Sequence, residues 1–94
     1  MKISNAKKEK IYEQILAYLY SISPKPVFTS YISKEIARDE EFVKKLLLEL
    51  KEKKLVIDIN KNPKGIEYLK RTRWKLTDEV YKAYKNRQLF KEGV

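Results

Sequence analysis

The chain has 94 residues, the length of one domain, with 22 Lys/Arg against 13 Asp/Glu and a formal net charge of +9. It contains no cysteine and no histidine, which excludes disulfides, thiolate chemistry and the commonest general base and metal ligand. No apolar run approaches the roughly 20 residues that span a bilayer, and the opening Met1-Lys2-Ile3-Ser4-Asn5 lacks the apolar region of a signal peptide, so the cytoplasm is the expected location.

Residues 1–6 are expected to fray. From 7 to about 22, Ile11, Ile15, Leu19 and Ile22 recur at spacings of four, four and three, with Tyr12, Leu16 and Tyr18 at the edges. That is the pattern of an amphipathic helix. Ser23-Pro24-Lys25-Pro26 ends it, because proline cannot continue a helix and biases its predecessor toward extended structure. Val27-Phe28 reads as a very short strand, and Thr29 or Ser30 can cap the helix that follows.

Residues 31–56 read as two helices and a tight connection. Ile32 and Ile36 share the inner face of the first. After a break near Ala37-Arg38, Asp39 can cap the second, with Glu40 and Glu41 at the positive end of its dipole. Phe42, Val43, Leu46, Leu47 and Leu50 fall within an arc of roughly 140°, a stripe wide enough to be buried. Glu41, Lys44, Lys45, Leu48 and Lys51 point the other way.

After Val56 the period changes to two. Leu55, Ile57 and Ile59 alternate with Val56, Asp58 and Asn60, and Asn62-Pro63-Lys64-Gly65 signals a turn. On the return strand Tyr68, Thr72, Trp74 and Leu76 share one face, and Arg71, Arg73 and Lys75 the other. Thr77 can cap a last helix, with Asp78 and Glu79 in its first turn and Val80, Tyr81 and Tyr84 facing inward, running to about residue 89. Leu89 and Phe90 lie off that inner face, and either bind a partner helix or belong to a frayed tail that includes residues 90–94.

One short helix, a tight turn and a longer helix with a polar outer face form the layout of a helix-turn-helix. The segment resembles the winged helix-turn-helix regulators of bacteria and archaea, the MarR- and ArsR-type repressors among them. Those proteins carry an Ile/Leu-Ala pair, a turn glycine, a valine, two leucines and Gly-Leu-Val. The matching positions are Ile32-Ser33, Ala37, Val43, Leu47, Leu50 and Lys54-Leu55-Val56, at the same spacing. Trp74-Lys75-Leu76-Thr77 matches the aromatic-x-Leu-Thr phrase that ends the wing. Ala37 and Lys54 replace glycines, and Arg38 replaces an apolar residue. All three fit the right-handed helical or bridge region, whereas Lys54 at positive φ would be strained. The resemblance spans roughly residues 9–85. It implies an α+β fold: a winged helix-turn-helix with a three-helix core, a short sheet with a wing hairpin, and a C-terminal helix, in one domain over residues 1–94.

The resemblance implies double-stranded DNA as partner, read by the second helix of the motif in the major groove. Its reading positions are Glu40, Glu41, Lys44, Lys45 and Leu48, with Thr29 and Ser30 meeting DNA at the start of the first helix. Lys44 and Lys45 suit guanine or phosphate, Glu40 or Glu41 suits cytosine N4, and Leu48 suits a thymine methyl. The alternative is a solvated surface with Glu40–Lys44 and Glu41–Lys45 pairs. Residues 39–54 carry five acids and five bases, net zero, while residues 61–75 carry six bases (Lys61, Lys64, Lys70, Arg71, Arg73, Lys75) against Glu67, net +5. The charge excess therefore sits on the wing, which is expected to anchor on phosphates while the helix discriminates. The alternative for the wing is an exposed strand kept soluble by charge. The seven tyrosines are expected to pack in the core or an interface rather than stack on bases.

The leading expectation is a sequence-specific regulator, a homodimer joined through Tyr84, Leu89 and Phe90. The competing expectation is a winged-helix module that binds protein or RNA in a larger complex. No nucleophile–base pair, metal-ligand cluster or phosphate-binding glycine loop is present in the sequence, so neither an enzyme nor a cofactor or metal is expected. Lys and Glu dominate the charges while Gln and Asn are few, a balance typical of hyperthermophilic proteins.

Overall fold

The computed structural model describes residues 5–59 and 72–92, and of 88–92 the backbone path alone. The turn at 62–65, Tyr68, the wing bases Lys61, Lys64, Lys70 and Arg71, and the side chains of Leu89 and Phe90 lie outside the described residues. The elements run α1 (Asn5–Ser21), β1 (Val27–Phe28), α2 (Thr29–Glu35), α3 (Glu40–Glu52), β2 (Val56–Ile59), β3 (Arg73–Leu76) and α4 (Asp78–Glu92). Helix α1 starts at Asn5, inside the stretch expected to fray, and α4 runs three residues beyond its expected end at 89.

The three helices α1–α3 enclose the core. Ile11, Ile15, Leu16 and Leu19 of α1 meet Ile32 of α2 and Val43, Leu46, Leu47 and Leu50 of α3, and Val27, Val56, Trp74 and Leu76 close it from the sheet. The sheet order is β1-β3-β2, antiparallel throughout. Val27 and Asp58 flank Trp74, and Val56 faces Leu76. The neighbouring rows, Phe28–Arg73–Ile59 and Ile57–Lys75, point to the opposite face. Of the alternating residues on β2, the buried one is Val56, while Ile57 is exposed.

The Trp74 indole N–H donates to the Thr29 hydroxyl oxygen at 2.9 Å in the buried interior. This bond corrects one expectation. Thr29 is the first residue of α2, not its cap; the cap position is Phe28, which has no capping side chain. The Thr29 oxygen that would have capped the helix is instead the acceptor that lets an indole be buried without an orphaned donor.

Both helices of the motif end alike. The Arg38 N–H donates to the Ser33 carbonyl and the Ala37 N–H to the Lys34 carbonyl. At the end of α3, the Leu55 N–H donates to the Leu50 carbonyl and the Lys54 N–H to the Lys51 carbonyl. These paired bonds are Schellman closures, which need a left-handed residue just past the helix. Ala37 has φ 56° and Lys54 has φ 64°. The expectation that they occupy the right-handed or bridge region is therefore corrected. The hydrogen-bonding pattern imposes the geometry even where a Cβ makes it costly.

Candidate nucleic-acid interface

Helix α3 is placed by its two ends and its inner stripe. The Phe42 N–H donates to the Asp39 carboxylate at 3.1 Å, so the sequence-expected cap is formed. Val43, Leu46, Leu47 and Leu50 are buried, and Phe42 is half-buried against them. This packing turns Glu40, Glu41, Lys44, Lys45 and Leu48 outward, and all five are exposed on one helix. Leu48 is 46% exposed, an apolar side chain amid charge. The i,i+4 pairs considered above are not formed: among the described residues, no ion pair engages Glu40, Glu41, Lys44 or Lys45.

The C-terminal half of the same helix is different. Glu49 forms an ion pair and hydrogen bond with Lys8 of α1. Lys51 pairs with Asp58 of β2 at 3.1 Å. The ammonium groups of Lys8 and Lys53 lie 5.9 and 5.8 Å from the centre of the Tyr12 ring, within cation–π range. The Lys8 hydrogen bond holds the Glu49 carboxyl below its ordinary pKa, and the same bond raises that of Lys8. Burial raises the pKa of the Tyr12 phenol. The helix is thus tied to α1 and the sheet at one end, while at the other no ion pair among the described residues engages Glu40, Glu41, Lys44 or Lys45.

Other expected site residues are dispersed. Ser30 is half-buried at the start of α2, and its carbonyl accepts from the Ser33 hydroxyl at 2.9 Å. Thr29 is buried with its hydroxyl on Trp74, so its side chain is not available to a nucleic acid. Arg73 is half-buried on the central strand, between Phe28 and Ile59, rather than on an edge. Tyr84 is half-buried and stacks on Tyr20 at 5.5 Å, and Tyr81 meets the same ring at 5.5 Å. Burial raises the Tyr84 pKa, reinforced by the Glu13 charge.

Sequence reasoning did not single out Tyr31. It is 53% exposed on α2, with its ring 6.1 Å from Phe28. Its place outside the Ile32–Ile36 face could have been read from helical spacing. Among the described residues no group of three or more acidic, histidine or cysteine side chains is arranged to hold a metal, and no helix is long and apolar enough to cross a membrane.

A capped, amphipathic second helix behind a short first helix, backed by a three-stranded antiparallel sheet, defines a winged helix-turn-helix, and the fold is that of MarR-type regulators. The solved structures agree. The MepR–DNA complex of Staphylococcus aureus matches with a TM-score of 0.67 and 24% identity, covering 96% of this chain and 66% of that one. A MepR mutant from a multidrug-resistant clinical isolate matches with a TM-score of 0.59 and 26% identity, covering 81% of this chain and 56% of that one. A ZitR mutant of Lactococcus lactis, in apo form, matches with a TM-score of 0.62 and 17% identity over 94% of this chain and 64% of that one. The chain thus spans less than two thirds of the length of these proteins. MepR is described as a transcription regulator of the multidrug efflux pump MepA. No protein-family model matches the sequence, and no curated protein does.

Proposed function

We propose that this chain is a sequence-specific double-stranded DNA-binding protein, a transcriptional regulator working as a homodimer in the cytoplasm. The observation that carries the reading is the outer face of α3. Its four charged side chains at 40, 41, 44 and 45 are exposed and hold no ion pair among the described residues, on a fold whose likeness MepR has been seen in complex with DNA. Charged groups left without a protein partner on a rigid helix are suited to base edges and phosphates. In this reading Lys44 and Lys45 take guanine or phosphate, Glu40 or Glu41 accepts from cytosine, Leu48 meets a thymine methyl, and Ser30 approaches the backbone. Lys61, Lys64, Lys70, Arg71 and Arg73 supply phosphate contacts from the wing. Tyr84, Leu89 and Phe90 join the protomers.

A gel-shift with duplex, single-stranded DNA and RNA at two salt concentrations tests it. Duplex is expected to bind best. With about six to eight phosphates neutralised per dimer, log K should fall with log salt at a slope of about −5 to −7. A flat dependence, or preference for RNA, favours the module that binds protein or RNA. The net-zero charge of residues 39–54 is the one observation on that side.

A further inference from the structure

Resting on the DNA-binding reading, we infer that Asp58 is a positioning residue that limits DNA affinity: it holds the Lys51 ammonium away from phosphate and so lowers sequence-independent binding. Glu41, Lys44, Leu48 and Lys51 follow each other at three, four and three residues, which places them on one stripe of α3. Lys44 and Lys51 are two turns apart on that stripe, about 10 Å along the axis. Both are exposed. They differ in what they hold. Lys44 has no ion pair among the described residues, whereas the Lys51 ammonium lies 3.1 Å from the Asp58 carboxylate.

Asp58 is fixed where it can do this. It stands on β2 opposite Trp74, in the row that faces the helices, and its side chain is half-buried. Trp74 in turn is anchored to Thr29. The carboxylate therefore sits on the rigid part of the sheet and draws Lys51 back toward it. A second lysine released onto the reading stripe would add a phosphate contact that every sequence offers equally. The pair removes that contact and leaves discrimination to the first half of the helix.

The test compares wild type, D58N, D58E and the double variant K51A/D58N in titrations at several salt concentrations. The probes are a duplex selected from a random pool and a scrambled duplex of the same length. D58N should bind the scrambled duplex about 25- to 100-fold more tightly at ~0.1 M salt, with a slope steeper by about two, the effect of one added phosphate contact in each protomer of the dimer. The selected duplex should gain by the same factor, so the preference between the two duplexes stays at its wild-type value. D58E should keep the wild-type slope, and K51A/D58N should return to it, since the released charge is gone. A D58N slope equal to that of wild type overturns the inference while leaving the DNA-binding reading intact. A steeper slope that persists in K51A/D58N also overturns it, because the effect would then not run through Lys51. Failure of wild type to bind either duplex overturns the DNA-binding reading and this inference with it.

Discussion

At the scale of single residues, the two left-handed positions are the least comfortable points in the described structure. Ala37 and Lys54 hold positive φ because the Schellman bonds at the ends of α2 and α3 need it. An L-residue in that region costs about 1–2 kcal/mol, partly offset because glycine would lose more entropy on folding. Ala37→Gly and Lys54→Gly should therefore each stabilise the protein by about 0.5–1 kcal/mol. Urea denaturation would show this as higher midpoints at unchanged slope; lowered midpoints would mean that the turns tolerate a Cβ without strain. The Lys8–Glu49 pair gives a second prediction. Its Glu49 pKa is lowered, so that contribution is present above the unfolded-state value and lost as pH falls through the folded value. Lys8 and Tyr12 are raised, so theirs is present below the unfolded values and lost as pH rises through the folded ones. Lys8→Met should thus reduce stability near neutrality and flatten its decline in acid. Thermal melts from pH 2 to 7 test this, and a decline as steep as that of wild type would count against the pair.

At the scale of elements, α3 was the most legible part of the sequence and the sheet the least. The stripe of α3 repeats over three turns, and Asp39 marks its start, so face and boundary are both local facts. What sequence reasoning missed depends on distant partners. Thr29 looks like a cap until Trp74, 45 residues away, claims its oxygen. The alternation on β2 left its inward face open, and the register that sets Val56 opposite Leu76 decides it. The positive φ of Lys54 was foreseen only as a possible strain, since lysine itself gives no signal for it. The charge distribution, net +5 over residues 61–75 and net zero over 39–54, sets a division of labour for the proposed DNA binding. Replacing Lys70 and Arg71 by Ala should weaken binding to selected and scrambled duplexes by similar factors, and make the salt slope of the dimer shallower by about three to four, two contacts being lost from each protomer. Lys44→Ala should instead cost about 1–3 kcal/mol on the selected duplex and much less on the scrambled one. Arg73 is a poorer choice for such a test because it is half-buried on the central strand. If the Lys70/Arg71 variant binds scrambled DNA as wild type does, the wing is not the anchor.

At the scale of the whole molecule, 94 residues enclose one modest core, and a second copy would enlarge the buried surface. The Tyr20–Tyr81–Tyr84 cluster already packs the first half of α4 against α1. The helix then continues to Glu92, carrying Leu89 and Phe90 past that cluster. Sedimentation should give about twice the monomer mass. A monomer at high micromolar concentration, unaffected by deleting residues 89–94, would exclude the homodimer.

The central place of β3 has a kinetic consequence. The strand that completes the sheet joins Val27 on one side and Asp58 on the other through Trp74. The indole's partner Thr29 is 45 residues back, so its bond closes a long loop. Loop closure carries an entropic cost that contacts within and between neighbouring helices largely avoid. Helices α1–α3 should therefore assemble in the rate-limiting barrier, with β3 docking after it. Trp74→Phe, which removes the indole donor, should accelerate unfolding and leave refolding nearly unchanged, whereas Leu46→Ala should slow refolding. Stopped-flow chevrons on the two variants decide the order, and refolding slowed as much by Trp74→Phe as by Leu46→Ala would put the sheet inside the nucleus.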